Sequence, residues 1–370
     1  MAKLLVLAND WTTIYNFRRE IVRALVEAGH EVILNYPLGE HTEEIKALGC
    51  KVIDADVSRR GTSIAGDLKY YKACKKLIRE TKPDVVLTYT VKPNVYGSLA
   101  AQKTKTPYVN NVTGISSALE NGGLLAKLVL TLQKKGLKKS RCVFFQNPEN
   151  RRLYIEKKVI RPDAHTVLLP GSGVNLELHK FEEYPEETDA LKFLIISRVR
   201  EDKGFNEFFD MAERIKKEVP KAEFHIAGWY EEDSYAQRVK ELEKKGIVVY
   251  HGKKNPEEVH ELIRQSHCII HPSYHEGMAN VILEAAASGR PVLASNIHGC
   301  VEGFDEGSTG FAFEVKNADA LYACVKKFIA LPYSQKAEMG RKARKKMEKE
   351  FDRQFVAQAY LKEIKNITEA

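Results

Sequence analysis

Short apolar runs separated by amphipathic stretches set the rhythm of this chain. In the first half the runs are KLLVLA (3–8), EVILNYP (31–37), KVIDADV (51–57), DVVLTYT (84–90), PYVNNVTG (107–114), CVFFQN (142–147) and HTVLLPG (165–171). Most are continuous in β-branched and aromatic residues, which predicts strands covered on both faces of a parallel sheet. Helical stretches lie between them, such as 16–28, closed by Gly29, and 64–81, closed before Pro83. Strand–helix–strand repetition predicts a doubly wound α/β domain. After the polar stretch EEYPEETDALK (182–192) the pattern restarts with FLIISRV (193–199), EFHIAGW (223–229), IVVYHG (247–252), CIIHPS (268–273), PVLASN (291–296) and TGFAFE (309–314). Residues 182–191 therefore read as a linker between a first domain, 1–181, and a second, 182–350. A last amphipathic helix at about 351–366 is expected to gather Phe351, Phe355, Ala359 and Tyr360 on one side. Two such domains are expected to face across a cleft at the carboxyl ends of their sheets. Open α/β sheets bind ligands there, so the chemistry belongs on loops that follow strands.

One such loop opens HEGMANVILEAAASGRPVLASN, 275–296. From Met278 to Ala287 nearly every side chain is apolar or small, and Gly289 and Pro291 stop the helix. A helix apolar all round predicts burial on all sides, yet Glu284 sits near its middle and Glu276 just before its start. The helix N-terminus offers free N–H groups and a positive dipole end, and Gly277 lets the backbone come close to a ligand. Eight residues of helix span about 12 Å. Glu276 and Glu284 thus suit a ligand with hydroxyls at both ends and a diphosphate between, which is the layout of a nucleotide sugar. The plainer alternatives are that Glu276 is a first-turn acid on the helix dipole and that Glu284 pairs with Arg290 or another residue of the domain.

A second loop, SRVREDKG (197–204), places Arg198 and Lys203 at the end of the second domain's first strand. A guanidinium fork and an ammonium there are suited to neutralising a departing diphosphate. Arg200 is assigned instead to a loop salt bridge with its acidic neighbours. DAD (54–56), the nearest thing to a D-x-D metal pair, falls inside an expected strand, so no metal is expected and protein cations take that role. In LPGSGVNLELHKF (169–181), Asn175 either approaches the ligand or belongs to a glycine turn at the domain junction. NDWTTIYNFRREI (9–21) lacks the G-x-G-x-x-G fingerprint; Arg18 at the first helix is the phosphate-contact candidate there.

Composition narrows the class. The 370 residues are 44% hydrophobic and 29% charged, with no apolar run long enough to span a membrane. The six cysteines are scattered without C-x-x-C spacing, and the N-terminus reads straight into a strand. A reduced cytoplasmic compartment is expected. Charge is uneven: residues 1–180 carry 29 Lys and Arg against 17 Asp and Glu, the remainder 29 against 33. The basic first half predicts an anionic partner such as a phosphorylated lipid or membrane surface, notably at QKKGLKKSR (133–141) and ENRRLYIEKKVIRP (149–162). Nucleic acid ranks low, since no aromatic–basic motif is present.

The pairing of SRVREDKG with HEGMANVILEAAASGRPVLAS resembles the retaining glycosyltransferases of family four, which have the GT-B fold. The resemblance spans essentially the whole chain. LVLANDWTTIYNFRREIVRALVEAGHEV, TYTVKPNVYGSLAA and NVTGISSALENGG resemble its capsule-type branch, which works on polyprenyl-diphosphate carriers. It implies a metal-independent, retaining transfer of a hexose or N-acetylhexosamine from a UDP-sugar to a lipid-linked or other saccharide. Arg198 and Lys203 would stabilise the leaving nucleotide and Glu276 the donor sugar. Glu284 would hold the ribose hydroxyls, with backbone amides at Gly277, Met278 and Ala279 assisting. The last helix, about 351–370, would cross back to the first domain. Two departures stand out: TTIYNF replaces a Gly-Gly turn after the first strand, and Tyr89 stands where relatives have a histidine. Tyr89 and Lys92 are either substrate contacts or ordinary strand-end residues, while Met278, Ser116 and Glu120 are candidates for donor choice. Two other readings stay open: a nucleotide-sugar epimerase on the same scaffold, and a non-catalytic nucleotide- or glycan-binding subunit.

Overall fold

Each of these apolar runs becomes a strand. The computed structural model describes residues 1–57, 63–114 and 123–369, apart from the side chains of Leu124 and Leu125. Ser116 and Glu120 lie outside the described residues. Strands β1 (Lys3–Leu7), β2 (Glu31–Tyr36), β3 (Lys51–Asp54), β4 (Val85–Tyr89), β5 (Tyr108–Val112), β6 (Cys142–Phe145) and β7 (Thr166–Leu168) form one sheet in the order β3-β2-β1-β4-β5-β6-β7. Strands β8 (Lys192–Ile196), β9 (Glu223–Ala227), β10 (Val248–Tyr250), β11 (Cys268–His271), β12 (Val292–Ser295) and β13 (Gly310–Phe313) form the other, ordered β10-β9-β8-β11-β12-β13. Every pairing is parallel. In both sheets the strand order reverses beside the first strand, at β1/β4 and at β8/β11. Loops leaving the carboxyl ends of those strands border the crevice where such sheets take ligands. No described helix is long and apolar enough to cross a membrane.

The chain divides into two compact units, Met1–Ser172 with Arg353–Ala370, and Gly173–Asp352. The first boundary therefore falls before the stretch 173–181, which is expected from sequence in the first domain. The reason is packing. Val174 is buried with Met278, Leu283, Ala343 and Met347 in the second unit, and Arg344 donates to the carbonyls of His179 and Ala287. The polar stretch that reads as a linker is also held down. Arg290 is completely buried. Its N–H groups donate to the carbonyls of Glu182, Glu183, Ile263, Arg264, Ser288 and Gly289 at 2.7–3.2 Å. Burial pulls its pKa down to about 10, still well above neutrality. Carbonyls orphaned at two helix ends thus share one guanidinium, which satisfies groups that would otherwise be buried unpaired.

In the first unit the helix Arg353–Thr368 packs along β4, β6 and the helix Arg19–Glu27. Its buried stripe is Val356, Tyr360 and Ile364, at four-residue spacing, and Tyr360 stacks on Phe144 at 4.5 Å. The face expected from sequence is corrected here: Phe351 precedes the helix and belongs to the second unit's core, and Phe355 is exposed. Arg353 anchors the start of the helix on Glu20 at 2.8 Å. The helix expected over 16–28 is two, Trp11–Phe17 and Arg19–Glu27, because Arg18 leaves helical geometry at φ −130° and ψ −2°.

Candidate active site

The loops after β8 and β11 meet in the second unit. A short turn, Glu201–Lys203, ends on Gly204 in the left-handed region at φ 71°. A Cβ at Gly204 would lie 2.1 Å from the Pro272 carbonyl oxygen, so glycine alone lets the two loops lie flush. They are then stitched together. The Tyr274 amide donates to the Asp202 carbonyl at 2.9 Å, and the buried Ser273 hydroxyl to the same oxygen at 3.4 Å.

This contact carries Lys203 to Glu276. The ammonium lies 2.6 Å from Glu276 Oε1 and 3.1 Å from Ser273 Oγ. His271, the buried last residue of β11, meets the same Oε1 through Nε2 at 3.0 Å. Burial by itself would raise the Glu276 pKa, but the His271 hydrogen bond and the Lys203 charge outweigh it and hold the carboxyl well below the usual range. Both contacts fall on one oxygen. Behind the loop, Gly299 at φ 88° presses on the Glu276 backbone, where a Cβ would come within 2.7 Å of the carbonyl oxygen.

Arg198, on the same loop as Lys203, is bound to a carboxylate of its own. Its Nη1 donates to Glu231 at 2.9 Å, and the other Glu231 oxygen accepts from Arg200 at 2.9 Å. Arg200 also reaches Asp202 at 2.5 Å. The assignment of Arg200 to a loop salt bridge agrees with this, but Lys203 takes no part in it. Glu231 follows β9, whose neighbour on the same loop, Trp229, is nearly half exposed at 46%.

The helix is shorter than its sequence suggests, Asn280–Ala287. Ala279 is extended at ψ 91°, and its amide donates to the Gly299 carbonyl at 2.7 Å. The Ala279 N–H is therefore already satisfied, a correction to its expected role as an open anion donor. Met278 is buried against Val174 and Leu283, and Gly277 is half-buried. Nor is the helix covered on all sides: Asn280, Val281 and Glu284 are half-buried on one stripe, while Ile282, Leu283 and Ala285–Ala287 are buried. Glu284 stands on the open stripe, not inside the core. Arg290, its proposed alternative partner, spends its donors on backbone carbonyls instead.

The remaining candidates are engaged in contacts of their own. The Asn175 side chain accepts from the Glu177 and Leu178 amides at 3.0 and 2.9 Å and shapes its own turn. Arg18 is 4% exposed inside the first unit. It donates to the Phe17 carbonyl at 2.8 Å and Ser172 Oγ at 2.7 Å, and lies 5.0 Å over the Tyr89 ring. Tyr89 is buried, and burial raises its pKa. Lys92 pairs with Asp67 at 2.9 Å. His271, Ser273, Glu231 and Gly299 belong to no motif in the sequence. A histidine closing an apolar strand, the only polar residue of CIIH, is the one signal that pointed to any of them.

Comparison with known proteins follows the same division. The model described as glycosyl transferase 4-like domain matches residues 14–171, and that described as glycosyl transferases group 1 matches 178–346. A Campylobacter jejuni relative, N,N'-diacetylbacillosaminyl-diphospho-undecaprenol alpha-1,3-N-acetylgalactosaminyltransferase, is 28% identical over 378 residues and 96% of each chain. Sucrose-phosphate synthase from Thermosynechococcus elongatus superposes with a TM-score of 0.81 at 18% identity, covering 99% of both chains. Anabaena HepE in complex with UDP and glucose gives 0.79 at 17% identity, over 99% of this chain and 100% of that one. These solved structures share the GT-B fold.

The depressed Glu276 pKa predicts a pH signature. Such a carboxyl contributes stability at pH values above its unfolded pKa, about 4.5, and loses it as pH falls towards its folded value. Glu276→Gln is expected to lower stability by about 1–3 kcal/mol near neutrality. In thermal melts from pH 7 to 3 the gap from the parent chain should narrow below about pH 4.5. A gap independent of pH would contradict the ion pair.

Proposed function

The chain belongs to the glycosyltransferases, with a 4-like first domain and a group 1 second domain, and from that membership we propose a metal-independent, retaining transfer of a hexose or N-acetylhexosamine from a UDP-sugar. The acceptor is a polyprenyl-diphosphate-linked or other saccharide used in surface polysaccharide synthesis. The observation that carries the reading is the meeting of Lys203, Glu276 and His271, with Arg198 on the same loop as Lys203, on loops at a strand-order reversal. UDP in the HepE complex and the lipid-linked acceptor in the Campylobacter relative's name support the choice of substrates.

In this mechanism the donor diphosphate displaces internal carboxylates. Its oxygens take Lys203 from Glu276 and Arg198 from Glu231, so each cation trades one anion for another. Glu276 then accepts hydroxyl hydrogens of the donor sugar, and Glu284, on the open stripe, accepts those of the ribose. The bond between the anomeric carbon and the diphosphate oxygen breaks, and the acceptor hydroxyl oxygen bonds to that carbon. Its proton passes to the departing diphosphate. Attack from the face of the leaving group retains configuration without a pair of protein carboxylates at glycosidase spacing. Charge builds on the diphosphate in the transition state, where fixed cations are most effective.

Arg198→Ala and Lys203→Ala are each expected to lower kcat/KM by roughly 10²–10³-fold. Glu276→Gln should do the same, a chelator should leave turnover unchanged, and the product should keep the donor's anomeric configuration by NMR. Unaltered turnover in these variants, or an inverted product, would overturn the assignment.

A peripheral membrane contact belongs to the same proposal. Lys134, Lys135, Lys138, Lys139 and Arg141 are exposed in the first unit, as are Arg151, Lys157 and Lys158. Each is worth about 1 kcal/mol near an anionic bilayer. Co-sedimentation with vesicles should require anionic lipid and fall with added salt. Binding indifferent to lipid charge would refute the contact.

A further inference from the structure

The opposite edge of the first sheet, where strands begin, holds a cluster that the transferase reading does not use. Cys142 opens β6 and is fully buried. His165 precedes β7, and its neighbour Thr166 pairs with Val143, so His165 lies beside Cys142 across the strands. Alternation puts Cys142 on the face of Phe144, and His165 on the face of Val167, a residue of the same core. That face is covered by the helix Arg353–Thr368. Three residues beyond Tyr360, which stacks on Phe144, the helix presents Glu363, itself 6% exposed. His165 Nε2 and Glu363 Oε2 are 2.8 Å apart. One ligand atom each from Cys142, His165 and Glu363 lie within 4.8 Å of one another.

We propose that Cys142, His165 and Glu363 form a zinc site with three protein ligands that clamps the chain's last helix to β6 and β7. Tetrahedral zinc with bonds of about 2.0–2.3 Å separates its ligand atoms by about 3.3–3.6 Å. The triangle reaches that spacing if the His165–Glu363 contact opens by under about 1 Å and the thiol closes by a similar amount. Sulfur, imidazole nitrogen and carboxylate oxygen together favour zinc over magnesium or calcium. The charges also balance: a thiolate and a carboxylate neutralise a divalent cation, which suits a site with two buried ligands. On binding, Cys142 gives its thiol proton to solvent and the neutral imidazole coordinates through Nε2. His165, with 56% of its side chain exposed, supplies the entry path and leaves room for a water as fourth ligand. Because the site lies at the strands' amino ends, it is independent of the donor loops and compatible with a metal-independent transfer.

The test uses the full chain after exhaustive dialysis against a chelator. Titration with Zn²⁺ against a chromophoric competitor is expected to give one tight site and a raised Tm. Titration with Co²⁺ should give a thiolate-to-cobalt charge-transfer band. Cys142→Ser should abolish that band. His165→Ala, at a largely exposed position that folding tolerates, should weaken Zn²⁺ binding by roughly tenfold or more. His251→Ala, at the unrelated His225–His251 contact in the second unit, should change neither. Absence of tight binding, absence of the band, or full-strength binding in His165→Ala would overturn the site.

Discussion

The arrangement of the second unit turns on one ion pair. Lys203 and Glu276 come from loops after different strands, and their 2.6 Å contact exists only because the backbones beneath them touch. Gly204 against Pro272 and Gly299 against Glu276 leave no room for a side chain, so the loops cannot drift apart without losing both packing and charge balance. His271 completes the contact from the strand itself. Half-buried charges placed this way are costly to leave unpaired, and each cation in the cluster accordingly already holds an internal anion. Under the proposed transfer, a diphosphate would meet preset cations and would have only to replace carboxylates that remain nearby.

The strands were legible because parallel sheets covered on both faces require continuous apolar runs, and the run from Phe193 to Ile196 has no other use. Their ends were overestimated where residues such as Gln146 and Asn147 stay buried after the ladder stops. The helix before Glu284 was overextended for a related reason. Met278 and Ala279 look helical by composition, but Ala279 is held extended by its bond to Gly299, a partner that propensity does not contain. The domain boundary falls earlier than the polar stretch 182–191 suggests because Val174 and the turn after it pack into the second unit, a contact that local polarity does not reveal.

Lys203 and Glu276 were each visible as residues of the right type after a strand. Their pairing was not, since 73 residues separate them and register decides the rest. Arg18 shows the converse. Its position after β1 suggested a phosphate contact, yet its guanidinium is enclosed by Phe17, Ser172 and Tyr89. Cys142, His165 and Glu363 lacked any local spacing, because they meet only through the alternation of two strands and the turn of a distant helix. The two ends of the strands thus differ: loops joined by ion pairs at the carboxyl end, and a side-chain cluster under the last helix at the amino end.

The most direct measurement is a crystal structure of the full chain with UDP. The account predicts the diphosphate within hydrogen-bond distance of Lys203 Nζ and the Arg198 guanidinium, with the Lys203–Glu276 and Arg198–Glu231 contacts opened and the ribose on Glu284. A nucleotide seated elsewhere, with both ion pairs intact, would contradict it.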